Sequence, residues 1–242
     1  MNTNTAASQT VAILGYHKVG EPAENGWHTW NYVTAENFEK HLDYLRDNNW
    51  KVIGVETFLK GLDKPETLPE RSALITFDDG YKSNLQIALP ILKKYQYEAV
   101  IFVATKYVDS YNAFDADIFY EPIEQICSWE ELRELHIQGV SIQSHSVSHP
   151  RFSELNEQQK LFELVESKKI IEEMLGNKVE FFSFPYGDDG VDEIQTRNLL
   201  LHAGYKTACL YGGGIFSPVN ADLFRLQRIA IGADTNIENA LI

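Results

Sequence analysis

The sequence Leu74-Ile-Thr-Phe-Asp-Asp-Gly80 joins a short apolar run directly to two adjacent carboxylates and a glycine. An apolar run of this length, ended by a turn signal, is typical of a buried β-strand. With Ala73 at its start it is one of seven such runs, the others being Val11–Tyr16, Ala99–Ala104, Val140–Gln143, Phe181–Phe184, Lys206–Leu210 and Leu226–Ile231. The chain is therefore predicted to contain about seven strands.

Segments with helical periodicity separate these runs. One begins at the capping box Ser128-Trp-Glu-Glu131, and another is closed by Gly176. Strand–helix alternation along the whole chain predicts parallel strands, and this number of strands favours a closed or nearly closed barrel over an open sheet. We predict an α/β fold with a polar, disordered N-terminus at residues 1–10 and a single domain at residues 11–242. Three irregular stretches are expected to form surface loops: Gly20–Asn31, Lys106–Cys127 and Tyr211–Asp222.

Composition narrows the class of protein. The 242 residues include 21 Lys and Arg against 35 Asp and Glu, a formal charge of −14, and 44% are hydrophobic. These values exclude a disordered or collagen-like chain. The acidic balance argues against nucleic acid or an anionic membrane as the main partner. The two cysteines, Cys127 and Cys209, are expected either to be buried apolar residues or to form one bridge.

The hydropathy of the chain and the character of its N-terminal residues indicate where in the cell the protein is expected. No stretch approaches the roughly 20 apolar residues of a membrane span. No secretory signal is visible, so the sequence as it stands predicts a cytoplasmic protein, or an exported one if a leader had been removed. The oligomeric state has no signature in the sequence.

Polar residues directly after predicted strands are the candidates for chemistry, because barrel enzymes work at the C-terminal ends of their strands. Asp78 and Asp79 satisfy this test, although Asp-Gly is also a common turn pair. His145 and His149 satisfy it too. At this spacing we expect the two imidazoles to share one face of a helical turn and to bind one ion.

Two further segments satisfy the same test. Phe181-Phe-Ser-Phe-Pro185-Tyr186-Gly187 ends a strand in a rigid turn, and Ile13-Leu-Gly-Tyr16-His17 places an imidazole after the first strand. One carboxylate and two imidazoles suffice for a catalytic zinc ion with an open water position. A second carboxylate can then act as base and a separate histidine as acid, which is what metal-assisted hydrolysis requires.

Three of these motifs, in this order and spacing, resemble the polysaccharide deacetylase (NodB-homology) family of carbohydrate esterases. They are Thr76-Phe-Asp-Asp-Gly80, His145-Ser-Val-Ser-His149 and Phe184-Pro-Tyr-Gly187. The resemblance extends from about Val11 to Gly232 and implies a distorted (β/α) barrel.

The resemblance also implies roles for individual residues. Asp78 would be the general base, and the metal ligands would be Asp79, His145 and His149. The backbone N–H of Tyr186 would help to hold the oxyanion. The metal is expected to be Zn²⁺, with Co²⁺, Ni²⁺ or Fe²⁺ as alternatives.

Two positions depart from the family pattern. Ser183 stands where the family commonly has an arginine that orients the base, and no late Leu-x-His motif supplies the usual acid. Leu14-Gly-Tyr-His17 is similar to the first strand of a circularly permuted branch that includes the poly-N-acetylglucosamine deacetylases. This similarity implies that His17 is the acid, and Arg228 could supply the missing guanidinium.

The predicted reaction is hydrolysis of an N-acetyl group on a poly- or oligosaccharide. Trp27, Trp30 and Tyr32 are expected either to line a sugar-stacking surface, with Pro185 beside the substrate, or simply to pack within their loop. Two other functions stay open from the residues alone. One is a mononuclear iron oxygenase, since two histidines and a carboxylate also form its facial triad. The other is a non-catalytic carbohydrate-binding protein that retains the metal pocket, to which the departure at Ser183 gives some weight.

Overall fold

The computed structural model describes residues 9–22 and 26–242. Most of the predicted N-terminal segment, residues 1–8, lies outside the described residues. The strands are β1 (Thr10–Tyr16), β2 (Lys18–Val19), β3 (Tyr32–Val33), β4 (Lys51–Val52), β5 (Arg71–Phe77), β6 (Ala99–Val103), β7 (Val140–Ser144), β8 (Phe181–Ser183), β9 (Thr207–Cys209) and β10 (Ile229–Ala230). The helices are α1 (Ala35–Asp47), α2 (Val55–Asp63), α3 (Leu89–Tyr95), α4 (Ala113–Phe119), α5 (Trp129–Ile137), α6 (Glu157–Leu175), α7 (Glu193–His202) and α8 (Ile237–Ala240).

Seven parallel strands form one curled sheet in the order β10-β1-β5-β6-β7-β8-β9, and the short β4 pairs with β5. Each of the seven predicted strands is present. The longest pairing joins β1 to β5, from Thr10 opposite Arg71 to Tyr16 opposite Phe77. A single parallel bridge, from Cys209 to Leu226, connects the two ends of the sheet. The predicted α/β fold, a distorted barrel, is confirmed.

Local sequence signals account for several of the helices. The α1 helix buries Phe38, Leu42 and Leu45. Both hydrogen bonds of the predicted capping box at Ser128 are present, and α6 ends at Gly176 in the left-handed conformation. Because proline lacks an N–H, a π-helical turn at Asn84–Ala88 replaces regular helix before Pro90. No helix within residues 9–22 and 26–242 is long and apolar enough to cross a membrane.

The stretch Lys106–Cys127 differs from the prediction, because it contains α4 rather than only irregular loop. The Asn112 side chain donates to the Pro122 carbonyl at 3.1 Å and accepts from the Glu124 N–H at 2.8 Å. These bonds span 10 and 12 residues, so the helix is held by contacts that local periodicity does not show. As a result α4 lies over the carboxyl ends of the strands. Cys127 and Cys209 are both buried and unpaired, which excludes a bridge between them.

Candidate active site

A cavity of about 270 Å³ opens at the carboxyl ends of the strands. Six of the residues singled out in the sequence line it: His17, Asp78, Asp79, His145, His149 and Tyr186. It is also lined by Asn31, Asp115, Phe119, Glu121 and Tyr211. Because parallel strands end at the same edge, segments far apart in the sequence converge on this space.

Asp79, His145 and His149 are buried together, and one potential ligand atom from each lies within 4.8 Å of the others. The Asp79 Oδ1 atom is 3.5 Å from Nε2 of His145 and 3.3 Å from Nε2 of His149. Burial raises the pKa of Asp79, whereas His149 and the other nearby imidazoles lower it by more, so this carboxyl is ionised.

The segment that presents the two imidazoles is not the helical turn expected from their spacing. Residues 145–150 form a bend, with positive φ angles of 72° at Ser146 and 57° at His149. The His149 N–H donates to Ser146 Oγ at 2.9 Å, which closes the bend. The two imidazole rings thereby come within 4.9 Å of each other, centroid to centroid.

The donor set fits a divalent cation. His145 donates its Nδ1–H to the Ser183 carbonyl at 2.7 Å, so its Nε2 presents a lone pair to Asp79. Burial lowers the pKa of His145 to about 4, which keeps the ring neutral. Among the residues that the structure describes, Asp79 Oδ1 has no hydrogen-bond partner despite being buried. A carboxylate oxygen and a nitrogen lone pair facing each other without a proton are stabilised by a shared metal ion.

Glu163 of α6 holds the bend through hydrogen bonds on the side away from the cavity. Its carboxylate accepts from the Val147 N–H at 2.8 Å, the Ser148 N–H at 2.9 Å and the Ser148 hydroxyl at 2.6 Å. A buried carboxylate with three donors is satisfied without a cationic partner. The orientation of the two imidazoles therefore depends on a helix that lies outside the cavity.

Asp78 is held by Arg228, whose side chain is fully buried. The guanidinium donates from Nη1 to Oδ1 at 2.7 Å and from Nη2 to Oδ2 at 2.6 Å. Burial raises the pKa of Asp78, but Arg228 and the nearby imidazoles lower it by more, so the net shift is downward. The Ser183 hydroxyl accepts from Nη2 of Arg228 at 2.9 Å. The family's guanidinium at the position of Ser183 is thus replaced by that of Arg228, which approaches Asp78 from the segment that leads into β10.

His17 lies on the other side of Asp78, with Nε2 3.9 Å from Oδ2. Burial lowers the pKa of His17, and the Asp79 and Asp78 carboxylates oppose that shift. Its Nδ1 faces the hydroxyl of Tyr211 at 3.5 Å. The imidazole therefore has one nitrogen toward Asp78 and the other toward the cavity wall.

Tyr186 adopts a left-handed conformation, with φ of 58°, in the turn that begins at the buried Pro185. Its ring contacts His149 at a centroid distance of 4.6 Å, and Arg151 lies 4.3 Å from its centroid on the outside. Pro185 does not line the cavity. Its contribution is to start the turn that places Tyr186.

The three aromatic residues expected at a stacking surface are placed differently from one another. Trp27 and Trp30 are 54% and 43% exposed, outside the cavity lining. Trp30 donates from Nε1 to Asp234 at 2.7 Å, and its indole covers Gly232 so closely that a Cβ there would lie 2.3 Å from Cε2. Tyr32 is only 3% exposed, and its ring faces the Lys18 ammonium at 4.8 Å. The stacking interpretation is wrong for Tyr32, because this ring is buried.

Several cavity residues were not singled out in the sequence. Tyr211 directly follows the predicted strand Lys206–Leu210, so the rule that selected Asp78 would also have selected it. Asp115, Phe119 and Glu121 come from α4 and the residues after it, inside a stretch that the sequence predicts to be a loop. Lys18 is buried and forms an ion pair with Glu121 at 2.8 Å, which ties this stretch to β2.

Comparisons with known proteins agree with this architecture. The family model for polysaccharide deacetylases matches residues 66–208, more than half of the chain. YxkH of Bacillus subtilis (strain 168) is 31% identical over 155 residues, which cover 64% of this chain and 51% of YxkH. The poly-β-1,6-N-acetyl-D-glucosamine N-deacetylase of Staphylococcus aureus (strain MRSA252) is 28% identical over 214 residues, covering 84% of this chain and 69% of that protein. The matched region thus spans about half of the first relative and about two thirds of the second.

Solved structures share the fold at lower sequence identity. The deacetylase PplD of Streptococcus pyogenes, in complex with acetate, superposes with a TM-score of 0.79 at 23% identity, covering 96% of each chain. IcaB from Ammonifex degensii superposes with a TM-score of 0.78 at 23% identity, covering 92% of each chain. At these identities the likeness shows the fold alone.

Proposed function

The chain belongs to the polysaccharide deacetylase family, and from this premise we propose that it is a metal-dependent hydrolase that removes acetyl groups from N-acetylated poly- or oligosaccharides. The observation that supports this most directly is that two adjacent carboxylates at one cavity have different partners. Asp79 lies with His145 and His149, while the adjacent Asp78 is held by Arg228. This difference in surroundings supports a role as metal ligand for Asp79 and as base for Asp78.

We propose that Asp79, His145 and His149 hold the metal, which is expected to be Zn²⁺, with Co²⁺, Ni²⁺ or Fe²⁺ as alternatives. When bound, such an ion supplies Lewis acidity toward water and toward the acetyl carbonyl. Three protein ligands leave a position open for these groups. Every donor atom that this requires is present and buried.

Asp78 would take a proton from the attacking water as the water oxygen bonds to the acetyl carbon. The bidentate Arg228 contact keeps the carboxylate ionised and fixes its orientation. His17 would then protonate the leaving nitrogen as the C–N bond breaks, yielding acetate and a free amine. This proton is needed because an unprotonated amine anion is a poor leaving group.

The backbone N–H of Tyr186 is the proposed oxyanion donor. The left-handed turn at Tyr186, at the cavity wall, supports this role. One such donor is typically worth about 3–4 kcal/mol in the transition state. Trp27 and Trp30 would stack their indole rings on further sugar rings outside the cavity. Trp30 is the stronger candidate, because its hydrogen bond to Asp234 fixes the indole.

The test is release of acetate from N-acetylglucosamine oligomers, β-1,4- and β-1,6-linked, with and without a chelator. We expect acetate release that stops with chelator and returns with added Zn²⁺. Asp78→Asn is the matched control: it should retain the bound metal but lose nearly all turnover. A metal-loaded protein that binds the oligomers without releasing acetate would instead be a carbohydrate-binding protein.

Neither alternative function gains support from the geometry. Ser183 was the position that favoured a non-catalytic protein, and Arg228 supplies a guanidinium to Asp78 from another segment. A facial triad of an iron oxygenase is usually found on an all-β fold, whereas this sheet is parallel with helical crossovers. Dioxygen uptake with Fe²⁺ present would separate the oxygenase from the hydrolase.

A further inference from the structure

The cavity wall contains a tyrosine, Tyr211, that the proposed reaction does not use. It lies two residues after the end of β9 and precedes the run Gly212-Gly-Gly214. Its hydroxyl lies 3.5 Å from Nδ1 of His17, which is longer than the roughly 2.7–3.2 Å of an ordinary N–H···O hydrogen bond. The two rings meet edge to face, with centroids 5.1 Å apart and an interplanar angle of 85°.

The surroundings of Tyr211 leave its ring little freedom. A Cβ at Gly15 would lie 3.2 Å from Cε2 of the Tyr211 ring, and one at Gly187 would lie 2.7 Å from the Tyr211 backbone nitrogen. The Arg228 guanidinium lies 5.3 Å from the ring centroid. Gly212 follows with φ of 99°, a conformation that suits glycine. Glycines on both sides thus let Tyr211 approach β1 and the turn at Tyr186 closely.

We propose that Tyr211 is a positioning residue for His17, whose hydroxyl accepts the Nδ1–H so that Nε2 faces the reacting atoms. This rests on the proposed deacetylase function. As the C–N bond of the acetamide breaks, the nitrogen takes the proton from Nε2 of the imidazolium. The neutral imidazole that results keeps its Nδ1–H on Tyr211. Catalytic hydrogen bonds are often long before substrate binds, which is consistent with the 3.5 Å distance.

The pairing suits an acid better than a carboxylate partner would. A phenol hydroxyl holds the imidazole in place without adding a full negative charge, so it does not hold the proton on the ring. Burial raises the pKa of Tyr211, so the hydroxyl stays neutral. Tyr211 thereby controls the direction of Nε2 and leaves four charges, those of Asp78, Asp79, Arg228 and Lys18, as the electrostatic influences on His17.

The experiment compares two substrates of the metal-loaded protein. An N-acetylglucosamine oligomer needs acid assistance for its leaving amine, whereas 4-nitrophenyl acetate has a leaving group that departs without a proton. Tyr211→Phe keeps the packed ring and removes only the hydroxyl. We expect kcat on the oligomer to fall about tenfold with little change in KM, as part of the roughly 10²–10⁴-fold supplied by acid–base catalysis. The ratio of amide to ester activity should fall by the same factor.

Tyr95→Phe is the matched control, because Tyr95 donates to Asp43 at 2.7 Å far from the cavity. It should leave the ratio unchanged, and metal content and thermal midpoint should be the same in both variants. In the His17→Ala background, Tyr211→Phe should cause no further loss, since its effect passes through the imidazole.

Two results would overturn the proposal while leaving the deacetylase function intact. One is an unchanged amide-to-ester ratio in Tyr211→Phe; the other is a double variant whose losses multiply. A wild-type protein that hydrolyses 4-nitrophenyl acetate but no N-acetylated oligomer would instead contradict the proposed function, and the role of Tyr211 would fall with it.

Discussion

Asp78 and Arg228 form an ion pair in a place where either charge alone would be costly. Both side chains are at most 3% exposed, and the guanidinium also donates to Leu210 and Ser183. Removing one partner of a buried pair costs about 3–5 kcal/mol, because the other charge is left without compensation. The planar fork of arginine, which matches both carboxylate oxygens, cannot be reproduced by a lysine ammonium.

Arg228→Lys is expected to lower kcat for acetate release by at least about tenfold, because Asp78 loses its two-point support. Bound metal should stay stoichiometric. Steady-state kinetics and elemental analysis measure the two effects. Arg197→Lys, at an exposed pair with Asp222, is the matched control and should change neither. If Arg228→Lys loses bound metal and turnover to the same extent, Arg228 instead stabilises the metal ligands.

His145→Ala should reduce Zn²⁺ affinity by more than about 100-fold, since even partners that only orient a ligand typically contribute 10–100-fold. Competition with a chromophoric chelator measures it. His202→Ala, at the end of α7 and exposed, should bind as the unmodified protein does. Equal affinity in His145→Ala and His202→Ala would remove His145 from the ligand set.

Helices outside the cavity determine how well its residues are oriented. The bend at residues 145–150 has two non-glycine residues with positive φ, and α6 supplies the carboxylate that holds it. On the opposite side α1 packs His41 against Tyr16 of β1, whose hydroxyl lies 3.1 Å from Nδ1. Helix packing therefore influences both the metal ligands and the strand that ends at His17.

Glu163→Gln should weaken Zn²⁺ binding about tenfold and lower the thermal midpoint. A glutamine keeps one oxygen that can accept both N–H groups, but it loses the negative charge, and its NH₂ group cannot accept from the Ser148 hydroxyl. Calorimetric titration measures the Zn²⁺ affinity, and thermal unfolding measures the midpoint. Glu166→Gln on the same helix removes only an exposed contact with Lys169 and serves as the control. Unchanged metal affinity in Glu163→Gln would show that the bend keeps its shape without α6.

His41 predicts a pH dependence of stability. Burial lowers its pKa from 6.5, so below pH 6.5 the unfolded chain binds a proton that the folded chain does not. Its contribution to stability is complete above pH 6.5 and is lost as pH falls through the lowered folded pKa. The free energy of unfolding of His41→Gln should therefore decline less between pH 7.5 and 5.5 than that of the unmodified protein. Denaturant titrations at both pH values test this, and an identical decline in both proteins would contradict it.

The closure of the barrel links the fold to the chemistry. Residues 226–230 contact both ends of the sheet: Leu226 bridges to Cys209, and Ile229 pairs with Leu14 of β1. Arg228 lies between these two contacts and points into the barrel. The segment that completes the sheet therefore also delivers the guanidinium.

Leu226→Ala should destabilise the protein by about 2–5 kcal/mol, the usual cost of truncating a buried leucine. It should also lower acetate release, because the support of Arg228 is loosened. Leu201→Ala, at a position 55% exposed, should change both quantities little. If Leu226→Ala retains full activity at a temperature where it stays folded, closure of the barrel is not needed for catalysis.

Much of this protein could be predicted from local patterns. Short apolar runs identified every strand of the sheet path, and the capping box at Ser128 and the glycine at 176 identified α5 and α6, because these signals act within a few residues. Asp78, Asp79, His145 and His149 were found because each follows a strand. The sequence could not reveal α4, which depends on the Asn112 bonds, or the burial of Tyr32.

The amino-acid sequence by itself determined the succession of the main strands, some of the helices between them, the family and the residues offered for chemistry, since these are encoded in short segments. Only the tertiary structure decided which of them meet. Arg228 is 150 residues from Asp78, and Tyr211 is 194 residues from His17. Parallel strands end at a common edge, so such partners are brought together by the path of the whole sheet, and no local pattern specifies their contact.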